Sequence, residues 1–225
     1  MSDEWNVKEF LDRTPGKAER IYTYKRLRCK RVVLNSRLAG QLAGYTLIEK
    51  DLRSVAVWLR EIGMRHTDRH RHESESHGRS EDRDNYNIIK GLFVASLTFY
   101  GKCFSQCEGR RVKLDRQIVD EPFLALHDEC ISYRNNFAAH SGAARVETVE
   151  IALVFPSNHK KKVLPKIYRE LAQPDLVWSK KGQEESFLAL VEHVRGKLLI
   201  KFDEPAAKIL TDEVLPKGIE HWSRK

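Results

Sequence analysis

Residues 38–62 read LAGQLAGYTLIEKDLRSVAVWLREI. Their apolar side chains fall at Leu38, Leu42, Tyr45, Ile48, Leu52, Val55, Leu59 and Ile62, in steps of three and four. That spacing gathers them on one face of a long amphipathic helix. Gly63 marks its stop. A second stripe, over residues 86–107, runs through Ile89, Leu92, Phe93, Ser96, Phe99, Cys103 and Cys107. A third, over 117–139, runs through Val119, Phe123, Leu126, Cys130, Tyr133 and Phe137, with Pro122 suited to a first helical turn. Residues 184–200 return to the same period, and 204–215 read as one more short helix. The fold expected is mainly α, a helical bundle.

One stretch departs from this period. Val149, Ile151, Leu153 and Phe155 alternate with Glu150, Ala152 and Val154, the period of a strand. Residues 156–159 follow as a turn, and 162–168 and 176–178 read as further short strands. A small antiparallel β insertion over 146–178 is expected. Residues 65–83, RHTDRHRHESESHGRSEDR, carry no apolar period and are expected as a mobile polar loop. Its His66, His70, His72 and His77 raise the question of a metal, but a metal site needs oriented ligands, and a solvated loop is the better reading.

The chain has 225 residues, 41% of them hydrophobic, enough for one sizeable core. It is read as a single domain over 1–225, with C-terminal helices at 184–215. No apolar run approaches the ~18 residues of a membrane span, and residues 1–13 hold no apolar signal core. A cytoplasmic protein without membrane contact is expected. The four cysteines, Cys29, Cys103, Cys107 and Cys130, are then not a disulfide framework. Cys103 and Cys107 read as core thiols.

The net charge is +8, and residues 17–37 hold eight basic side chains against Glu19 alone. Within this basic N-terminal segment, Lys25, Arg26, Arg28, Lys30 and Arg31 interleave with Tyr22 and Tyr24. Such a surface can follow a phosphate backbone and stack a base, so these five are candidate RNA-binding residues. A solvated helix face would have the same composition. His159 and Lys160–Lys162 are a weaker second patch.

Phosphate-loop, GxGxxG, HExxH, GxSxG and CxxC patterns are absent. Chemistry is sought instead at the end of the third stripe. Arg134 offers a charged fork for phosphate oxygens, and His140 a group that titrates near neutral pH. Together they suit RNA cleavage by the ribose 2′-OH, a nucleophile that needs no metal. By residue type alone, His140 serves equally as a helix C-cap, and Arg134 as an ion-pair partner of Asp128 or Glu129. His127, seven residues before Arg134, lies on the same face, where a half-buried structural histidine is the plainer reading.

The string YRNNFAAHSG over 133–142 resembles the signature of the HEPN superfamily, in its abortive-infection and toxin-like ribonuclease branch. Arg134 matches the arginine, Asn135 the polar residue after it and His140 the histidine, with five residues between Arg134 and His140. The resemblance implies a HEPN-like helical bundle that pairs as a homodimer with its two motifs facing. It implies a metal-independent endoribonuclease, a toxin or phage-defence effector, with catalytic Arg134, Asn135 and His140, no cofactor and no metal. An antitoxin or other regulatory partner is a further expectation. Other members of the superfamily are non-catalytic modules that bind RNA, nucleotide or protein.

Overall fold

The computed structural model describes residues 4–11, 18–72, 81–138, 148–157, 164–172 and 186–224. The architecture is mainly α with a small antiparallel β component, as the two periods predict. In chain order come β1 (Trp5–Leu11), β2 (Ala18–Tyr24), β3 (Leu27–Arg28), α1 (Arg37–His72), α2 (Glu81–Cys103), α3 (Glu121–Tyr133), β4 (Thr148–Val154), β5 (Lys166–Ala172), α4 (Phe187–Lys208) and α5 (Gly218–Ser223). A 3₁₀ turn at Arg116–Ile118 precedes α3, and a π turn at Arg134–Ala138 follows it. The chain forms two compact units: Met1–Gly40 with Glu204–Lys225, and Gln41–Asp203.

The larger unit carries the helical core. Ile48, Leu52 and Val55 of α1 are fully buried, as are Leu97 and Tyr100 of α2, Cys130 of α3, and Leu190, Val194 and Leu198 of α4. Leu97 and Tyr100 lie beside the α2 stripe read from the sequence and the others lie on their stripes; this burial is what makes amphipathic helices hold together in water. Trp58 and Phe99 meet edge to face at 4.9 Å beside this core. Two helix starts are capped locally. Ser36 Oγ accepts the Ala39 N–H before α1, and Ser186 Oγ accepts the Ala189 N–H before α4, both at 3.1 Å. One charged group is sealed into the core: Asp51 is 1% exposed, with Arg110 Nη1 at 3.4 Å, Lys102 Nζ at 3.3 Å and Lys50 Nζ at 2.7 Å.

Helix limits differ from the apolar stripes. The expected polar loop over 65–83 is helical at both ends: α1 continues to His72 and α2 begins at Glu81, while 73–80 lie outside the described residues. Once a packed helix is nucleated, each added residue gains a backbone hydrogen bond without an apolar partner. At the other end α2 stops at Cys103, because the Phe104 and Ser105 N–H groups bond three residues back, to Gly101 and Lys102. Cys107, expected on the helical stripe, stands instead in a turn bridged to Arg110. Helix α4 runs unbroken to Lys208 before a π turn at Ile209–Val214.

The β insertion is a two-stranded antiparallel ribbon, with Ile151 opposite Arg169 and Leu153 opposite Ile167. Its second strand begins at Lys166, four residues later than its sequence reading, and 176–178 lie outside the described residues. The basic N-terminal segment is not a helix face. It supplies β2 and β3 of a three-stranded antiparallel sheet in the smaller unit, ordered β1-β2-β3. Trp5 packs on its cross-strand partner Tyr24 at 4.8 Å, and Glu9 pairs with Arg20 at 2.7 Å.

Candidate functional site: a cationic cleft around Arg134

In the larger unit, the end of α2, the segment before α3, α3 itself and the π turn enclose a cleft of about 340 Å³. Gly101, Phe104 and Ser105 line it from α2 and its exit, Lys113 to Arg116 from the connecting segment, His127 and Ile131 from α3, and Arg134 and Asn135 from the π turn. That volume is at the small end of ligand pockets. Among its lining side chains, Lys113, Arg116 and Arg134 are cationic and Asp115 is the one carboxylate.

Arg134 occupies the first position of the π turn, where its backbone N–H reaches both Cys130 and Ile131 carbonyls. A π turn is wider than an α turn and re-aims the side chains that follow it. The aliphatic stem of Arg134 lies on Gly101: a Cβ there would stand 2.8 Å from Arg134 Cγ. The glycine is what lets the arginine lie so close to α2. At its tip, Nη1 donates to Asn135 Oδ1 at 2.9 Å, and among the described residues the buried Nε has no hydrogen-bond partner. Arg134 is therefore not the partner of Asp128. Asp128 is held instead by Arg116, through Nε at 2.8 Å and Nη2 at 2.6 Å. That fork holds the Asp128 carboxyl below its ordinary range.

His127 is 3% exposed and lines the same cleft. Its Nδ1 lies 2.8 Å from the Tyr100 hydroxyl, and its ring stands edge-on to Phe104 at 4.5 Å. Burial lowers the His127 pKa, and Arg116 adds to the shift while Asp128 opposes it. Burial pushes the Tyr100 hydroxyl far above its ordinary value. The imidazole is thus neutral at pH 7 and the phenol keeps its proton.

Of the sequence-derived catalytic set, Arg134 and Asn135 come together in the cleft, and His140 lies outside the described residues. The candidate RNA-binding set lies in the other unit. Lys25 and Arg26 form the tip of the β2–β3 hairpin, both with positive φ, 48° and 68°. Lys25 Nζ pairs with Glu4 at 3.0 Å, and Lys30 Nζ donates to the Ser223 carbonyl. Arg28 sits on β3, opposite Thr23. Arg26, Arg28 and Arg31 are exposed and make no ion pair among the described residues. Two cleft cations, Lys113 and Arg116, and the tyrosine behind His127 escaped the sequence reading. They lie off the apolar stripes or, for Tyr100, one residue beside Phe99, and only packing brings them together.

Cys103 and Cys130 are core thiols, whereas Cys107, expected in the core, is only part-buried, as is Cys29. Burial pushes Cys103 up to about 12 and Cys130 well above its ordinary value. Among the described residues, no three His, Cys, Asp or Glu side chains gather as metal ligands, and no helix is long and apolar enough to cross a membrane. His66, His70 and His72 are described in backbone only, and His77 lies outside the described residues. No protein-family model, curated protein or solved structure matches the chain.

Proposed function

We propose that this protein is a metal-independent endoribonuclease of the HEPN type, acting as a homodimer with Arg134, Asn135 and His140 as its working residues. The observation that carries the reading is the state of Arg134. Its guanidinium is in a cationic cleft, braced by Asn135, rather than neutralised by Asp128. A fork held this way suits the non-bridging oxygens of a phosphodiester. His140 takes the proton of the ribose 2′-OH, and the 2′ oxygen attacks the adjacent phosphorus. Arg134 stabilises the charge gathering on the phosphate oxygens. The bond from phosphorus to the 5′ oxygen breaks, and that oxygen leaves with a proton. The products are a 2′,3′-cyclic phosphate and a 5′-hydroxyl. Lys25, Arg26, Arg28, Lys30 and Arg31, in the other unit, are the RNA-binding residues of the same reading. A role as a toxin or phage-defence effector, held by an antitoxin or other regulatory partner, belongs to the same reading.

The test is cleavage of a mixed RNA pool in chelator by wild type, Arg134→Ala and His140→Ala. Wild type leaves cyclic phosphate ends, and each variant loses at least about a hundredfold in rate. Equal cleavage by all three sinks the reading. RNA bound but left uncut by all three replaces it with a non-catalytic binding module.

A further inference from the structure

We propose that His127 is a further phosphate-contacting residue of the cleft: Tyr100 fixes its proton on Nε2, and that N–H donates to a phosphodiester oxygen lying against the Arg134 guanidinium. The phosphodiester is the substrate of the reading above, and the inference rests on that reading for its ligand class.

The Tyr100 hydroxyl lies 2.8 Å from His127 Nδ1. A neutral imidazole has one N–H and one lone pair. A phenol is a strong donor and a weak acceptor, and an imidazole lone pair is a strong acceptor. The favoured arrangement is therefore O–H to Nδ1, which leaves the imidazole proton on Nε2. Among the described residues Nε2 has no hydrogen bond of its own, although the ring lines the cleft.

Burial, rather than the nearby charges, favours the neutral form: Asp128 opposes it more strongly than Arg116 supports it. Lys113, Arg116 and Arg134 line the same cleft, with Asp115. Asp128 is taken up by Arg116. Tyr100 cannot act as a base in this place, because a buried phenolate is strongly disfavoured. His127 is thereby a fixed neutral donor, and proton removal falls to another group. Tyr100 acts through His127, as a positioning residue.

Nitrogen-15 spectra of the histidine rings in the full-length protein test this between pH 6 and 8. The two probes are inorganic phosphate and a short 2′-O-methyl RNA, which no 2′-OH attack can cut. We expect His127 to carry its proton on Nε2 alone, and both probes to shift that resonance. His127→Leu weakens RNA binding about tenfold or more, whereas His127→Gln, whose amide still donates, restores most of it. Tyr100→Phe keeps the fold and mixes the two tautomers. A proton on Nδ1 in wild type overturns the inference, as does a His127 resonance indifferent to both probes, or a single unchanged tautomer in Tyr100→Phe. A shift with inorganic phosphate but not with RNA keeps the donor and removes the ribonuclease reading. Binding with the expected shift, but no cleavage of ordinary RNA, likewise separates the two.

Discussion

Replacing Gly101 by alanine tests how Arg134 is held. A Cβ at 101 stands 2.8 Å from Arg134 Cγ, 3.1 Å from Cδ and 3.4 Å from Cβ. Carbon atoms rest at about 3.5–4.0 Å, so the arginine stem must give by several tenths of an ångström or more. Gly101 is buried in the last turn of α2, which leaves the helix little room to yield. Overpacking of this kind costs about 1–3 kcal/mol. Alanine's helix preference offsets about 1 kcal/mol of that. Gly101→Ala should therefore cost about 0–2 kcal/mol in the wild-type background. In an Arg134→Ala background Cγ and Cδ are gone, and only the 3.4 Å contact remains. The same change should then stabilise by about 0.5–1 kcal/mol. A double-mutant cycle by urea denaturation reads the difference as a coupling of about 1–3 kcal/mol. Equal effects of Gly101→Ala in the two backgrounds would refute the packing of Arg134 on α2.

Three further outcomes follow from features described above. His127 has a lowered folded pKa, so the unfolded chain takes up that proton first as the pH falls. Its stabilising share is full above the unfolded value near 6.5 and is lost as the pH drops toward the folded value. The stability gap between wild type and His127→Gln should narrow below about pH 6.5 in denaturant melts, and a gap that widens there contradicts the burial argument. Lys25→Asn combined with Arg26→Gly relieves two left-handed backbone positions and should stabilise the N-terminal sheet by about 1 kcal/mol, read by amide exchange in β2. Arg110→Ala strips Asp51 of its buried partner and should destabilise by about 3 kcal/mol, with Asp51→Asn in the same chain recovering part of the loss.

The helical core is legible because Ile48, Leu52, Val55, Phe93 and Val194 each recur at helical spacing and each is buried. The N-terminal sheet is not, for two physical reasons. In β1 the apolar alternation Trp5, Val7 is broken by Glu9, whose place on that face is held by its pair with Arg20. The β2–β3 turn uses Lys25-Arg26 where Asn-Gly is the usual signal, so nothing local announces a hairpin. The full reach of α1 to His72 is hidden for a different reason, since a helix carried past its packing face leaves no apolar trace. In the cleft, Arg134, Asn135 and His127 are legible because they are near in sequence. Tyr100, Lys113 and Arg116 are not, because α2 and the connecting segment meet α3 only through tertiary packing.

The β4–β5 ribbon bears on how this protein behaves when crowded. Val149, Ile151 and Leu153 are each more than half exposed on one face, as is Ile167 across from Leu153. Among the described residues the ribbon has two strands, with an outer edge on each that offers backbone groups to another chain. The run VEIALVF over 149–155 holds one charge and neither proline nor glycine, the composition of a cross-β seed. Two features check it: Pro156 ends the run, and Glu150 stands directly opposite Glu170, repelling at neutral pH. Precipitation at high concentration should start from this ribbon, and Ile151→Lys should raise the solubility ceiling without touching the helical core.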